Sequence, residues 1–118
     1  MTISQTPTGD LRLYEVDAIG STLRSASNIL SEVFSAGANF AVLPVGRLDP
    51  AFFQLRTGLA GEIMQKFVNY GIRLAIIGDI SSLTAASEPL HDLVYEMNQG
   101  TDIWFIPTRE QLETRLSF

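Results

Sequence analysis

Residues 73–78 read Arg-Leu-Ala-Ile-Ile-Gly, and residues 40–45 read Phe-Ala-Val-Leu-Pro-Val. Both are short apolar runs, one closed by glycine and the other broken by proline near its end. A run of this kind has no polar side to turn toward water, so it suits a strand covered on both faces. Between the two lies a helical pattern, Leu59, Ile63, Met64 and Phe67, closed by Asn69-Tyr-Gly71. Strand, helix and strand in that order predict a β-α-β unit with parallel strands. This reading decides the fold class.

The pattern repeats outward from that unit. Upstream, Leu11-Arg-Leu-Tyr-Glu-Val16 partly alternates, as a half-covered or edge strand does. Leu23, Ala26, Leu30, Val33 and Phe34 predict a helix stopped by Gly37. Downstream, Leu90, Leu93, Val94 and Met97 predict another helix, closed by Asn98-Gln-Gly100. Asp102-Ile-Trp-Phe-Ile-Pro107 predicts a further strand, with Trp104 and Phe105 on opposite faces. Thr108 and Gln111 have capping-box spacing and open a last helix with Leu112 and Leu116. Proline cannot donate to a ladder, which places Pro44 and Pro107 at strand ends. The expectation is one α/β domain over residues 1–118. It has a four- or five-stranded, mostly parallel sheet and about four helices, stacked mainly on one side. Residues 1–9 read as a loose tail or a short strand before a turn at Pro7-Thr8-Gly9-Asp10. A strand at residues 2–6 would add an antiparallel edge.

Composition narrows the function classes. The chain has 118 residues, is 46% hydrophobic and carries a net charge of −5, from 8 Lys+Arg against 13 Asp+Glu. The acidic balance, with no basic tract, argues against a nucleic-acid partner, whose capture rests on Lys and Arg neutralising phosphates. The absence of cysteine excludes disulfides, thiolate metal sites and a thiol nucleophile. His91 is the only histidine, so no His-rich metal motif can form, and it reads as a surface helix residue. Lys66 is the only lysine and sits mid-helix, away from any P-loop pattern. No Gly-x-Ser-x-Gly elbow is present. The N-terminus lacks the basic and apolar regions of a signal peptide, and no apolar run approaches a membrane span. A cytoplasmic protein without membrane insertion, cofactor, metal or catalytic residues is the expectation.

One segment stands out. Residues 46–62 read Gly-Arg-Leu-Asp-Pro-Ala-Phe-Phe-Gln-Leu-Arg-Thr-Gly-Leu-Ala-Gly-Glu, between a buried strand and the most apolar helix. Asp49-Pro50 is a helical-turn entry, with Asp as cap and Pro at the first position. Phe52 and Phe53 are adjacent, so one faces the core and the other the surface or a partner. Thr57 reads as the N-cap of the following helix, and Gly58 and Gly61 allow close approach to its first turn.

Phe52-Phe53, Leu55, Thr57-Gly-Leu-Ala-Gly-Glu-Ile63, Gln65-Lys-Phe67, Asn69-Tyr70, Arg73-Leu-Ala-Ile76 and Gly78-Asp79 together resemble a bacterial domain-of-unknown-function family, number 4180. The strong part covers residues 52–79, and that family implies no reaction. More distantly, the strand, Thr57-Gly58-Leu59 opening a helix, Gly71 and the strand at 73–78 are similar to STAS domains, the anti-sigma-factor antagonists and their relatives. Their signature here is Asp-Ser-Ser-Gly-Leu, and a partner kinase phosphorylates its second Ser. The resemblance implies Thr57 at the phosphoacceptor position, Gly58 at the Gly and Leu59 at the Leu. Leu55 and Arg56 stand where the signature has Asp-Ser, so the Asp is absent.

Two further features have ordinary and functional readings. Asp79 follows a parallel strand, where a carboxylate binds ligands or caps a turn over Ser81 and Ser82. Glu88, Asp92 and Glu96 form an acidic row at i, i+4 and i+8, a solvated face or a surface for a basic partner. The leading expectation is a non-enzymatic, regulatory, STAS-like protein-interaction module, homodimeric, with its surface at Asp49, Phe52, Phe53, Arg56, Thr57, Gly58 and Asp79. The alternative is a small-ligand-binding domain or minor enzyme, with Arg56, Thr57 and Asp79 lining a pocket at the strand ends. A structural oligomer subunit is a third class.

Overall fold

The computed structural model describes residues 2–5, 12–17, 20, 22–23 and 25–116, with side chains from Arg12 onward. Five strands form one sheet in sequence order: β1 (Thr2–Gln5), β2 (Arg12–Glu15), β3 (Phe40–Pro44), β4 (Arg73–Ile77) and β5 (Ile103–Ile106). β2 to β5 are parallel, and β1 pairs antiparallel with β2, Ile3 opposite Tyr14. The expected mostly parallel sheet and its antiparallel edge are both present. β2 is therefore an interior strand, because β1 takes the edge position. The turn expected at Pro7–Asp10 lies outside the described residues.

The helices are α1 (Ser27–Ser35), α2 (Leu59–Asn69), α3 (Ser81–Ala86), α4 (Glu88–Gln99) and α5 (Arg109–Leu116). Alternation along the strands divides the core in two. On one face Tyr14, Ala41, Leu43, Leu74, Ile76 and Phe105 meet Leu30 and Val33 of α1 and Ile63 and Phe67 of α2, with α4 packed alongside. On the other, Leu13, Phe40, Val42, Ala75, Trp104 and Ile106 meet Leu112 and Leu116 of α5. Among the described helices α5 alone covers the second face, so stacking is mainly, not wholly, on one side. Trp104 and Phe105 do part to opposite faces as alternation requires.

Two local expectations need correction, and one short helix is additional. Leu23 does not join a helix; it forms an isolated parallel bridge with Leu48 that ties the loop before α1 to the loop after β3. Phe34 is 50% exposed, because α1 ends one residue later and its ring lies edge-on to Tyr70, 5.7 Å away. The short α3 carries no apolar periodicity, so no pattern in the sequence marks it. The end of α2 follows the expected glycine stop: Gly71 at φ 68° lets the Gly71 and Ile72 N–H groups return to the Val68 and Phe67 carbonyls.

Candidate binding surface at the carboxyl ends of the strands

β3 stops at Pro44, and three short 3₁₀ turns carry the chain to α2: Val45–Arg47, Pro50–Phe53 and Leu55–Thr57. Each turn has a local cause. Leu48 is buried and returns its N–H to the Val45 carbonyl. The Asp49 carboxylate accepts the Ala51 N–H at 2.9 Å, with Pro50 at the first turn position, as the sequence predicts. Phe52 is fully buried, 5.0 Å edge-on from Phe53 and 6.3 Å from Phe105. Phe53 is half-buried at the edge of the same cluster. The adjacent rings therefore divide between core and rim, and the buried one anchors the segment to the sheet.

Thr57 has a different role from the one its type suggests. The N-cap of α2 is Gly58, in the left-handed region at φ 78°, and Thr57 ends the preceding turn. The Thr57 hydroxyl lies 2.8 Å from the Ala51 carbonyl and 2.8 Å from the Gln54 carbonyl, to which it donates. It accepts the Leu59 N–H at 3.3 Å. One side chain thus ties the second turn, the third turn and the start of α2 together. Arg56, Thr57 and Gly58 are exposed, and Arg56 makes no hydrogen bond or ion pair with the described residues.

The neighbouring loops are packed by glycine. A Cβ at Gly78 would stand 2.8 Å from Val45 Cβ, so the loops after β3 and β4 touch there only because residue 78 has no side chain. Asp79 follows, exposed, and accepts the Ser81 N–H at 2.9 Å. Hydrogen bonding from the Ser81 side chain and then its backbone holds the Asp79 carboxyl below the usual range. That is the turn-capping arrangement. Arg47 donates to the Asp17 carbonyl at 2.8 Å, and its guanidinium closes over Gly20.

At this end of the sheet a cleft of about 520 Å³ lies between α1 and the post-β3 loop, lined by Thr22, Leu23, Asn28, Ile29, Glu32 and Arg47 among others. Arg56, Thr57 and Asp79 do not line it. Glu32 also faces Tyr14, whose phenol is pushed up to about 12 by burial, then by the hydrogen bond and charge of Glu32 and by Asp17. Sequence reasoning missed the Tyr14–Glu32 pair, because a strand tyrosine and a helix glutamate carry no signal that they meet. Among the described residues no group of three or more His, Asp or Glu is placed to hold a metal ion. His91 is exposed on α4, 3.5 Å from Asp92.

An α/β domain with four parallel strands, an antiparallel edge and a tied loop at the strand ends is the class of protein these features define. The chain belongs to the family described as a domain of unknown function (DUF4180), whose model matches residues 10–116. No curated protein and no solved structure matches it. No helix among the described residues is long and apolar enough to cross a membrane.

Proposed function

We propose that the domain is a non-enzymatic, STAS-like regulatory module that binds another protein through the Asp49–Gly58 segment, with Asp79 at its margin. The observation that supports this is the exposed Arg56-Thr57-Gly58 tip held on a segment anchored by buried Phe52. A tip fixed in advance loses little conformational freedom on binding, which favours recognition. Arg56 offers unused guanidinium donors to a partner carboxylate. Phe53 offers the edge of a ring.

Thr57 is the candidate phosphoacceptor. A phosphate there would remove the hydrogen that the hydroxyl donates and set roughly −1.5 to −2 charges beside two carbonyl oxygens. Those contacts turn repulsive, whereas the N-terminus of α2 attracts the anion. Modification would therefore release the turn lock and change the shape of the tip as well as its charge. The protein is a homodimer in this reading, and elution as a monomer at micromolar concentration would remove that part of it. The main test is partner capture from the native host by wild type, Arg56→Ala, Thr57→Ala and Thr57→Glu. Loss with Arg56→Ala and opposite or graded effects of the two Thr57 variants are expected. Unchanged capture by all three would sink the proposal.

A second reading rests on the cleft between α1 and Arg47, whose polar lining of Asn28, Glu32 and Arg47 suits a small polar ligand. Loss of a ligand on Arg47→Met, with protein capture intact, would favour that reading.

A further inference from the structure

On the face covered by α1, α2 and α4, a groove of about 290 Å³ lies between α2 and the connection from α4 to β5. Gly61, Met64, Gln65 and Val68, spaced i, i+3, i+4 and i+7, make the α2 wall. Met97 of α4 and Ile103 of β5 complete the apolar lining. The groove opens over Gly61, where an added Cβ would meet nothing within 4 Å. A glycine inside a helix lowers its stability relative to alanine, so this opening is kept against local helix propensity. Methionines on both sides give a wall that adapts to the shape of an occupant.

The rim is charged with one sign. Among the described residues that line it, the ionisable ones are Glu96 and Asp102, both exposed carboxylates. Glu96 stands in the last turn of α4, where the helix dipole already has its negative end, and that turn carries no basic residue of its own. An acid there is electrostatically unfavourable for the helix but favourable for a bound cation. Asp102 also lies near Arg73 of β4, so Glu96 is the less compromised of the two acids.

We propose that this groove binds a small apolar molecule carrying one protonated amine, the hydrocarbon on Met64, Met97 and Ile103 and the ammonium at Glu96 and Asp102. The apolar floor and all-acidic rim select this class over an acid or a neutral molecule of the same shape. The volume stands at the lower end of ligand pockets, which suits a single ring or short chain. The site uses none of the residues of the Asp49–Gly58 surface and stands or falls separately from it.

The test is titration of the full chain with 2-phenylethylamine, 2-phenylethanol and 3-phenylpropionate, read by the methyl resonances of Met64 and Met97. The amine is expected to bind at least about tenfold more tightly than the acid, with the alcohol between them. Glu96→Gln, an exposed change that leaves the fold intact, should lower amine affinity about three- to fivefold, in the range of an exposed ion pair. Gly61→Leu should fill the groove and abolish binding without lowering the melting temperature. Equal affinity for amine and acid overturns the proposal. So does unchanged amine binding in both variants. Shifts of the same methyls by a lysine-rich peptide but by none of the small probes would make the groove a protein-docking site instead, and would equally overturn it.

Discussion

Tyr14 carries the clearest pH dependence. Its phenol is 5% exposed and raised to about 12, chiefly by burial and then by Glu32. The unfolded phenol titrates near ~10. Between those values the unfolded chain has lost a proton that the folded chain retains, so stability falls as pH rises from about 10 to 12. Urea unfolding midpoints should be level from about pH 7 to 9 and drop above about 10, and Tyr14→Phe should flatten that drop. Gly58 raises a backbone question of the same kind. At φ 78° an added Cβ has open space but meets its own backbone, at a cost of about 1 kcal/mol. Gly58→Ala should lower unfolding free energy by roughly that amount, whereas Gly61→Ala should raise it. The contrast between two glycines three residues apart separates backbone strain from helix propensity. Thr57 was legible as a capping residue type, but the left-handed φ that moves the cap to Gly58 depends on the turn before it.

The connection between β3 and α2 behaves as an element in its own right. Its stability rests on Phe52, which fills the space above Phe105 and meets no solvent. Phe52→Ala should destabilise the domain by about 3–5 kcal/mol, as large-to-small changes in cores do. Phe53→Ala should have a much smaller effect on denaturation, which keeps it usable in binding assays. The second element of interest is α5. Its apolar contacts are few, and two arginines extend them. Arg115 lies 4.0 Å over the Trp104 ring, which also has Arg73 at 4.8 Å. Arg109 donates to Glu15 of β2 at 2.6 Å, across the sheet from β5. Its Nη1 is buried without a hydrogen bond, 3.5 Å from Glu113. A double-mutant cycle of Arg109→Met and Glu15→Gln should give a coupling of about 0.5–1 kcal/mol, since both groups are about a third exposed. A coupling near zero would leave α5 held by Leu112, Leu116 and Arg115 alone.

Among the described residues most arginines are engaged by backbone or carboxylate oxygens. Arg12 donates to the Gly37 carbonyl, Arg47 to Asp17, Arg73 to Thr101 and Arg115 to Asn98. Arg109 pairs with Glu15. Among the described residues Arg56 and Lys66 are the basic groups that stand exposed. A protein with net charge −5 and most of its described arginines so engaged offers little to a phosphate backbone. Duplex DNA should show no salt-dependent retention at 0.15 M ionic strength. Any binding that weakens steeply with salt would contradict this placement of charge. The same distribution makes Arg56 conspicuous, because it combines exposure with freedom from described partners.

The sequence by itself determined the strands and most of the helices. Continuous apolar runs at 40–45 and 73–78 have no alternative but burial on both sides, and period-3.6 patterns between them require crossover helices. It also located the segment at 46–62 through Asp49-Pro50, the paired phenylalanines and Thr57-Gly58. Tertiary structure decided the rest. Which ring of Phe52-Phe53 is buried follows from where Phe105 stands. The placement of α5 on the second face is seen only in the contacts of Leu112 and Leu116 with Phe40 and Trp104, and in Arg109 meeting Glu15 on a strand far away in the chain. The cleft between α1 and the post-β3 loop, lined by Glu32 and Arg47, likewise exists only through packing of elements distant in the chain. Periodicity is a local property, fixed by the backbone repeat. Contacts between distant elements depend on side-chain shape in three dimensions, which no spacing along the chain records.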